Sequence, residues 1–323
     1  MASPSEHRIL VTGALGQLGT ELVSALREKH GSENVVALDV RPTPDEKGNP
    51  SVQADILDRS GLSNIIEMWR IDEVYHLAAI LSASGEANPV RCWDINMGGL
   101  LNVLELARRH SLRVFNPSSI AVFGPDVTDK APQESPLHPT TMYGVTKVAG
   151  ESMCEYYSSA HGVDVRGLRY PGLISWKAPP GGGTTDYAVE IYREAFEKGR
   201  YECFVSEHTR LPMMYIDDAI RASLELMEAQ ASDLRRTADY NLGAMSFSAG
   251  ELAASIAERI EGFSISYAPD ERQAYADSWP HDVDDAAARK DWGWMPVFDL
   301  EATTDAMLSN LLSNTTLTRQ EGR

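Results

Sequence analysis

Tyr143-Gly-Val-Thr-Lys147 sets a phenol and an ammonium four residues apart, so a helix would present both on one face. A free phenol has a pKa of about 10, and a neighbouring ammonium favours the phenolate, so the pair could take the proton of an alcohol near neutral pH. Taken alone, the spacing equally suits two residues on a solvated helix face. Ser118-Ser-Ile-Ala-Val-Phe-Gly124 adds hydroxyls at the end of an apolar segment, and Ser119, 24 residues before Tyr143, could bond the reacting oxygen.

A second group of residues suits a dinucleotide. Arg8-Ile-Leu-Val11 reads as a short buried strand, Thr12-Gly-Ala-Leu-Gly-Gln-Leu-Gly19 as a turn, and 20–29 as a helix. Gly13, Gly16 and Gly19 allow a tight turn, close approach of a diphosphate and close packing of helix on strand, with Gln17 and Leu18 between them. The spacing is Gly-x-x-Gly-x-x-Gly, not Gly-x-Gly-x-x-Gly. A second apolar strand, 34–40, carries Asp39, 20 residues after Gly19, where a carboxylate can bond both hydroxyls of an adenosine ribose. Its charge opposes a 2′-phosphate and argues for NAD, although Arg41 leaves room for some NADP. The alternative role for Asp39 is a strand-end turn.

The elements that must position these groups alternate along the chain. A short strand within 51–58 brings Asp55 and Ile56 to its end. Helix 60–69 follows, then strand 72–79 ending in Leu77, Ala78 and Ala79, helix 93–110, strand 112–118, helix 141–160 and strand 163–169. The order predicts a Rossmann-type doubly wound parallel α/β sheet whose strand ends gather Gly13, Asp39, Asp55, Ala78, Ser118 and Ser119. Beyond Tyr170-Pro-Gly172 the alternation weakens, and Lys177-Ala-Pro-Pro-Gly-Gly-Gly183 marks a change of architecture. We expect a nucleotide-binding domain over 1–175, with 213–247 returning to it, and a smaller substrate-binding lobe over 176–323, interleaved with the first.

Composition narrows the partners. At 323 residues the chain can bury an ample core, and a formal charge of −18 argues against nucleic acid. Cys92, Cys154 and Cys203 are scattered, with no Cys-x-x-Cys and no His-x-x-x-His, so single histidines such as His76 and His208 read as packed or solvated and no metal site is expected. No stretch suggests a membrane span or a secretory signal, and only a short polar leader precedes the first strand, so a cytoplasmic location is expected.

Glycine turn, Asp39, Ser119, Tyr143 and Lys147, in this order and spacing, resemble the extended short-chain dehydrogenase/reductase family across most of the chain. The resemblance implies Tyr143 as general base, Lys147 lowering its pKa and bonding the nicotinamide ribose, and Ser119 orienting the substrate oxygen. It adds Ile56, Leu77, Ala79, Asn96, Ser118 and Tyr170 to the expected NAD contacts, although packing is an equal role for Asn96. The segments Arg169-Tyr-Pro-Gly172, Gly181-Gly-Gly-Thr-Thr-Asp-Tyr-Ala188 and Arg210-Leu-Pro-Met-Met-Tyr-Ile-Asp-Asp218 resemble those of the short-chain type of L-threonine 3-dehydrogenases. That branch implies oxidation of L-threonine to 2-amino-3-oxobutanoate, Ser82, Thr184 and Thr185 on the substrate, and a homodimer built on the helices near 93–110 and 141–160. Physically, a glycine run opening a helix offers N–H groups to a carboxylate, with Thr185 on substrate and Asp186 at the cap. Ordinary capping and a loop hydroxyl at Ser82 are the alternatives. Two further readings stay open: a sugar-nucleotide epimerase or dehydratase, for which the second lobe offers Arg193, Arg210 and Arg272 without a pattern, and a non-catalytic NAD sensor, which would not need Ser119, Tyr143 and Lys147 together.

Overall fold

The computed structural model describes residues 7–42 and 48–321, with side chains to 313; the leader and the middle of the loop 41–50 lie outside the described residues. The centre is a six-stranded parallel sheet formed by β1 (Ile9–Thr12), β2 (Val35–Asp39), β3 (Ser51–Gln53), β4 (Glu73–His76), β5 (Arg113–Phe115) and β8 (Val165–Arg166), in the order β3-β2-β1-β4-β5-β8. An all-parallel sheet must be covered on both faces, which is why β1 and β2 are buried at every position. Alternation along β1 sends Ile9 and Val11 into one core and Leu10 into another. Helix α1 (Gln17–His30) packs Leu22 and Leu26 into the first core. Helices α2 (Arg59–Trp69) and α4 (Pro89–His110) and the C-terminal half of α5 (Met142–His161) fill the second with Ile65, Leu104 and Cys154.

Local chemistry sets several boundaries differently from the expectation. Helix α4 begins four residues earlier than 93, because Asn88 caps it by accepting the Arg91 N–H and Pro89 stands at its first position, where no N–H is needed. Ser82 opens a separate short helix, α3 (Ser82–Ala87), and is not a loop residue. Strand 112–118 is broken at Asn116-Pro117, and β6 (Ser118–Ser119) resumes in another sheet; strand 163–169 breaks in step at Gly167, where a Cβ would lie 2.1 Å from the Asn116 carbonyl oxygen. Helix α5 has Thr141 as its cap, whose hydroxyl accepts the Gly144 N–H at 3.1 Å, and ends on Gly162 in the left-handed region.

The displaced strands lead from the parallel sheet to further sheets. β6 pairs with β9 (Leu168–Tyr170), which sets Ser118 opposite Arg169 and Ser119 opposite Tyr170, and β9 also pairs with β13 (Tyr240–Asn241). Beyond it, β10 (Gly172–Ile174), β12 (Arg210–Tyr215) and β14 (Met245–Ser248) form a mixed sheet, and α7 (Ile216–Glu228) lies beside α1. Two small pairs, β7 (Lys130–Ala131) with β16 (Asp282–Val283) and β11 (Arg200–Cys203) with β15 (Ser264–Tyr267), carry the periphery with α6 (Tyr187–Lys198), α8 (Ala249–Ala257), α9 (Arg272–Ala276), α10 (Ala286–Trp292) and α11 (Leu300–Glu321). The three cysteines are buried free thiols. Among the described residues no helix is long and apolar enough to cross a membrane.

Candidate active site

Helix α5 meets the end of β6 at Gly144, where a Cβ would lie 2.2 Å from the Ala121 carbonyl oxygen. Only glycine permits that approach, and it brings the Tyr143 phenol to the same cavity wall as the Ser119 hydroxyl. One turn on, the Lys147 ammonium donates to the Pro117 carbonyl at 2.7 Å and lies 5.4 Å from the centre of the Tyr143 ring. The three groups expected to do chemistry are therefore together.

Burial dominates the ionisation of two of them. Burial raises the phenol of Tyr143 to about 12, with the nearby Ser119 hydroxyl opposing it, and burial lowers Lys147 to about 8. Burial thus holds the phenol above its ordinary value, where the spacing with Lys147 led us to expect it below. His76, sharing a 2.9 Å hydrogen bond with the Thr12 hydroxyl, is held by burial down to about 3 and is a neutral clamp between β1 and β4.

On one side stands the glycine turn. Gly13 has a φ of 68°, and its Cβ would lie 2.7 Å from the Ala78 nitrogen; a Cβ on Gly19 would lie 2.3 Å from the Gly13 carbonyl oxygen. Helix α1 starts at Gly16 without a side-chain cap, so its first N–H groups remain for a ligand. A hollow closed to any Cβ, at an uncapped helix N-terminus, fits a dinucleotide diphosphate. Asp39 accepts the Leu15 N–H at 3.0 Å and pins this turn, while Arg41 meets its carboxylate at 3.0 Å. Burial would raise that carboxyl, but the bonds from Arg41 and Leu15 together hold it below the usual range.

On the other side the glycine run folds back on itself. The Asp186 carboxylate accepts the Gly182 and Gly183 N–H groups at 2.8 Å each and makes no cap bond to α6, so it frames the loop instead of capping the helix. Its burial raises its pKa against those bonds. Ser82 accepts the Thr184 N–H at 3.2 Å, and Ala83 donates to the Gly182 carbonyl at 3.1 Å, which ties the run to α3. Thr185 lies over Gly172, where a Cβ would come within 2.8 Å of its Cγ2.

A cavity of about 220 Å³ lies between these walls. Of the expected residues, Gly13, Gly16, Gln17, Leu18, Gly19, Leu77 and Ala79 line it on the nucleotide side; Ser118, Ser119, Tyr143 and Lys147 line its centre; Tyr170, Ser82, Thr184, Thr185 and Asp186 line the rest. Asp39, Asp55, Ile56, Ala78 and Asn96 do not. Asp55 is exposed and accepts the Leu57 N–H in a turn, Ile56 is packed where a Cβ on Gly99 would strike it, and Ala78 backs the glycine turn. The Asn96 amide is used up on the Ile80 backbone and the Thr146 hydroxyl, fastening the end of the β4 segment to α5. Sequence reasoning missed Leu81, Pro117, Leu173 and Trp279 on the lining. Pro117 and Leu173 adjoin the quoted segments, but nothing local marks Trp279.

Residues 9–243 match the NAD dependent epimerase/dehydratase family. Among solved structures, a monomeric L-threonine 3-dehydrogenase from a metagenome superposes with a TM-score of 0.92 at 54% identity, over 94% of this chain and 98% of that one. The holo form of an L-threonine dehydrogenase of Cupriavidus necator does so with a TM-score of 0.92 at 50% identity, over 94% and 99%. An uncharacterized epimerase/dehydratase of Staphylococcus haemolyticus is 50% identical over 94% of this chain and 96% of its own length. With its glycine turn, parallel sheet and tyrosine–lysine helix, the chain belongs to the NAD dependent epimerase/dehydratase family, the extended short-chain dehydrogenases/reductases.

Proposed function

We propose that the protein oxidises L-threonine at its C3 hydroxyl with NAD, giving 2-amino-3-oxobutanoate and NADH. The observation that carries this reading is the far wall of the cavity, where Ser82, Thr184, Thr185 and the carboxylate of Asp186 stand while Lys147 is the one cation among the lining residues described. A sugar nucleotide would bring a diphosphate towards Asp186 with no arginine on the lining to receive it, since Arg272 stands behind it paired with Asp270. An amino acid brings an ammonium for Asp186 and a carboxylate for the hydroxyls of Ser82, Thr184 and Thr185. The similarity to L-threonine dehydrogenases of 50% and 54% identity supports the same substrate.

NAD, when bound, supplies a cationic ring that accepts the hydride from C3. Gly13, Gly16 and Gly19 with the α1 N-terminus would hold its diphosphate, and Asp39 the adenosine ribose, its charge opposed to a 2′-phosphate. Ser119 orients the C3 oxygen and Tyr143 receives its proton. Because burial holds the phenol high, this transfer depends on the Lys147 ammonium staying charged beside it. The proposal includes a cytoplasmic homodimer through α4 and α5, whose outer faces expose Trp93, Leu101, Val145 and Tyr156; light scattering that gives one chain mass would remove the dimer.

NADH absorbance should rise with L-threonine and stay flat with D-threonine, UDP-galactose and UDP-glucose, and a chelator should change nothing. Turnover of a UDP-sugar without turnover of L-threonine would overturn the substrate in favour of epimerase chemistry.

A further inference from the structure

Tyr143 and Lys147 are followed at the same four-residue spacing by Glu151, and all three point at one strand end. Tyr143 stands with Ser119 on the cavity lining, Lys147 bonds the Pro117 carbonyl, and Glu151 takes the Ser118 hydroxyl at 2.5 Å. Residues 117 and 118 are thus held on two successive turns of α5, with Tyr143 on the turn before them. Glu151 is also gripped by Arg169, whose Nε and Nη2 reach its two oxygens at 2.8 and 2.7 Å, and both side chains are buried. Arg169 is fixed in turn by the Asn241 side chain at 3.2 Å and the Gln133 carbonyl at 3.3 Å. A buried pair of this kind is costly to build and is weak evidence for stability by itself. Its place, one turn beyond Lys147 and beneath Ser118, is what needs explaining.

We propose that Glu151 is a positioning residue of the active site, a third member of the Tyr143–Lys147 stripe that fixes the Ser118–Ser119 strand end and keeps a negative charge beside the Lys147 ammonium. This rests on the reading of Tyr143 as the base. Other groups also face Lys147: Tyr143 and Cys154 on its own helix, Cys92 on α4 and His76 on β4, while Arg169 approaches Glu151 from β9. His76 is neutral and both thiols are protonated near neutral pH, so Glu151 is the charge among them that favours the ammonium against burial.

The test compares Glu151→Gln, Glu151→Asp and Tyr143→Phe in the full chain. Lys147 is titrated through its 13Cε resonance, assigned by its loss in Lys147→Met, and kcat with L-threonine is followed against pH. In Glu151→Gln, Lys147 should lose its proton about one pH unit lower, a tenfold loss of proton affinity. Activity should then fall about tenfold at pH values where wild type is still active. Glu151→Asp keeps the charge but withdraws from Ser118 and Arg169, so its Lys147 midpoint should stay in place while kcat drops severalfold. A purely structural glutamate would lower the melting temperature and leave the Lys147 midpoint unmoved, and that result in a folded Glu151→Gln overturns the proposal. Should Glu151→Gln fail to fold, wild-type kcat in Glu151→Asp overturns it equally. A fully active Tyr143→Phe would instead defeat the underlying assignment of the base.

Discussion

The two walls of the cavity are held by different physics. On the nucleotide side, Gly13 and Gly19 bring backbone against backbone, with carbonyl and amide atoms where a Cβ would have to stand. On the substrate side, the glycine run is held mainly by side chains, Asp186 on the Gly182 and Gly183 N–H groups, Ser82 on Thr184 and Ser84 beneath Gly182, with one backbone bond from Ala83 to the Gly182 carbonyl. Backbone contacts cannot yield without moving a strand, whereas a hydroxyl or carboxylate can rotate. The first wall suits a cofactor whose diphosphate never varies. The second can be remade, and it is where members of one fold family would differ in substrate.

The largest effect belongs between the walls. Tyr143→Phe should lower kcat by about 10²- to 10⁴-fold with NAD affinity nearly unchanged, since the ring still packs and only the proton acceptor is lost. Wild-type rate should fall away above about 8 as Lys147 loses its charge. A flat profile with an active phenylalanine variant would remove the base from the centre of the comparison.

The walls themselves are compared by Gly13→Ala and Gly182→Ala, both at positive φ, 68° and 85°. The strain of an L residue in that region, about 1–2 kcal/mol, is common to both. Gly13→Ala adds a clash with the Ala78 backbone at 2.7 Å, while Gly182→Ala meets only the Ser84 hydroxyl at 2.6 Å, which can swing away. Titration calorimetry should show NAD affinity falling more than about tenfold in the first and hardly at all in the second. Equal losses of NAD affinity would erase the distinction drawn between the walls.

The same distinction separates what the sequence reveals from what it hides. Tyr143, Lys147 and Ser119 are legible because helix spacing and a strand end place them within a short stretch, and the glycine turn because its backbone demand admits no other residue. The limits of α6 are legible too, since its apolar period runs from Tyr187 to a left-handed Gly199. What escapes is whatever depends on a distant partner. Nothing near Trp279 says that it reaches the cavity, and nothing near Asp186 says that it turns back to Gly182 instead of capping. Asn96 looks like a free amide until Ile80 and Thr146 consume it, and the breaks at Pro117 and Gly167 become intelligible only when the Asn116 carbonyl is seen filling the space above Gly167.

On the substrate wall, Thr185→Ala should reduce kcat/KM for L-threonine by roughly ten- to a hundredfold, the value of one lost hydrogen bond of about 1–3 kcal/mol, with the NAD dissociation constant steady. A lower melting temperature with normal kinetics would make Thr185 a packing residue over Gly172. On the nucleotide wall, Asp39→Ala should weaken NAD by about tenfold and narrow its preference over NADP, because it removes both the charge and the anchor on Leu15. An unchanged cofactor ratio would reduce Asp39 to the partner of Arg41 and Leu15.

The smallest effect tests whether the substrate wall is held at a cost. Asp186→Asn keeps an oxygen that can accept both glycine N–H groups but removes a buried charge. The folded-state pKa of Asp186 is raised, first by burial, above its ordinary value of 3.8. A raised acid contributes stability that is fully present below the unfolded pKa and is lost as pH rises through the higher folded value. The melting temperature of Asp186→Asn relative to wild type should therefore climb as pH rises from 3.8, by a few degrees at most, since every other titrating group is common to both proteins. The KM for L-threonine should rise at neutral pH if the carboxylate receives the substrate ammonium. A variant that is less stable than wild type at neutral pH, with unaltered KM, would show that the charge is needed to hold the glycine run and takes no part in binding.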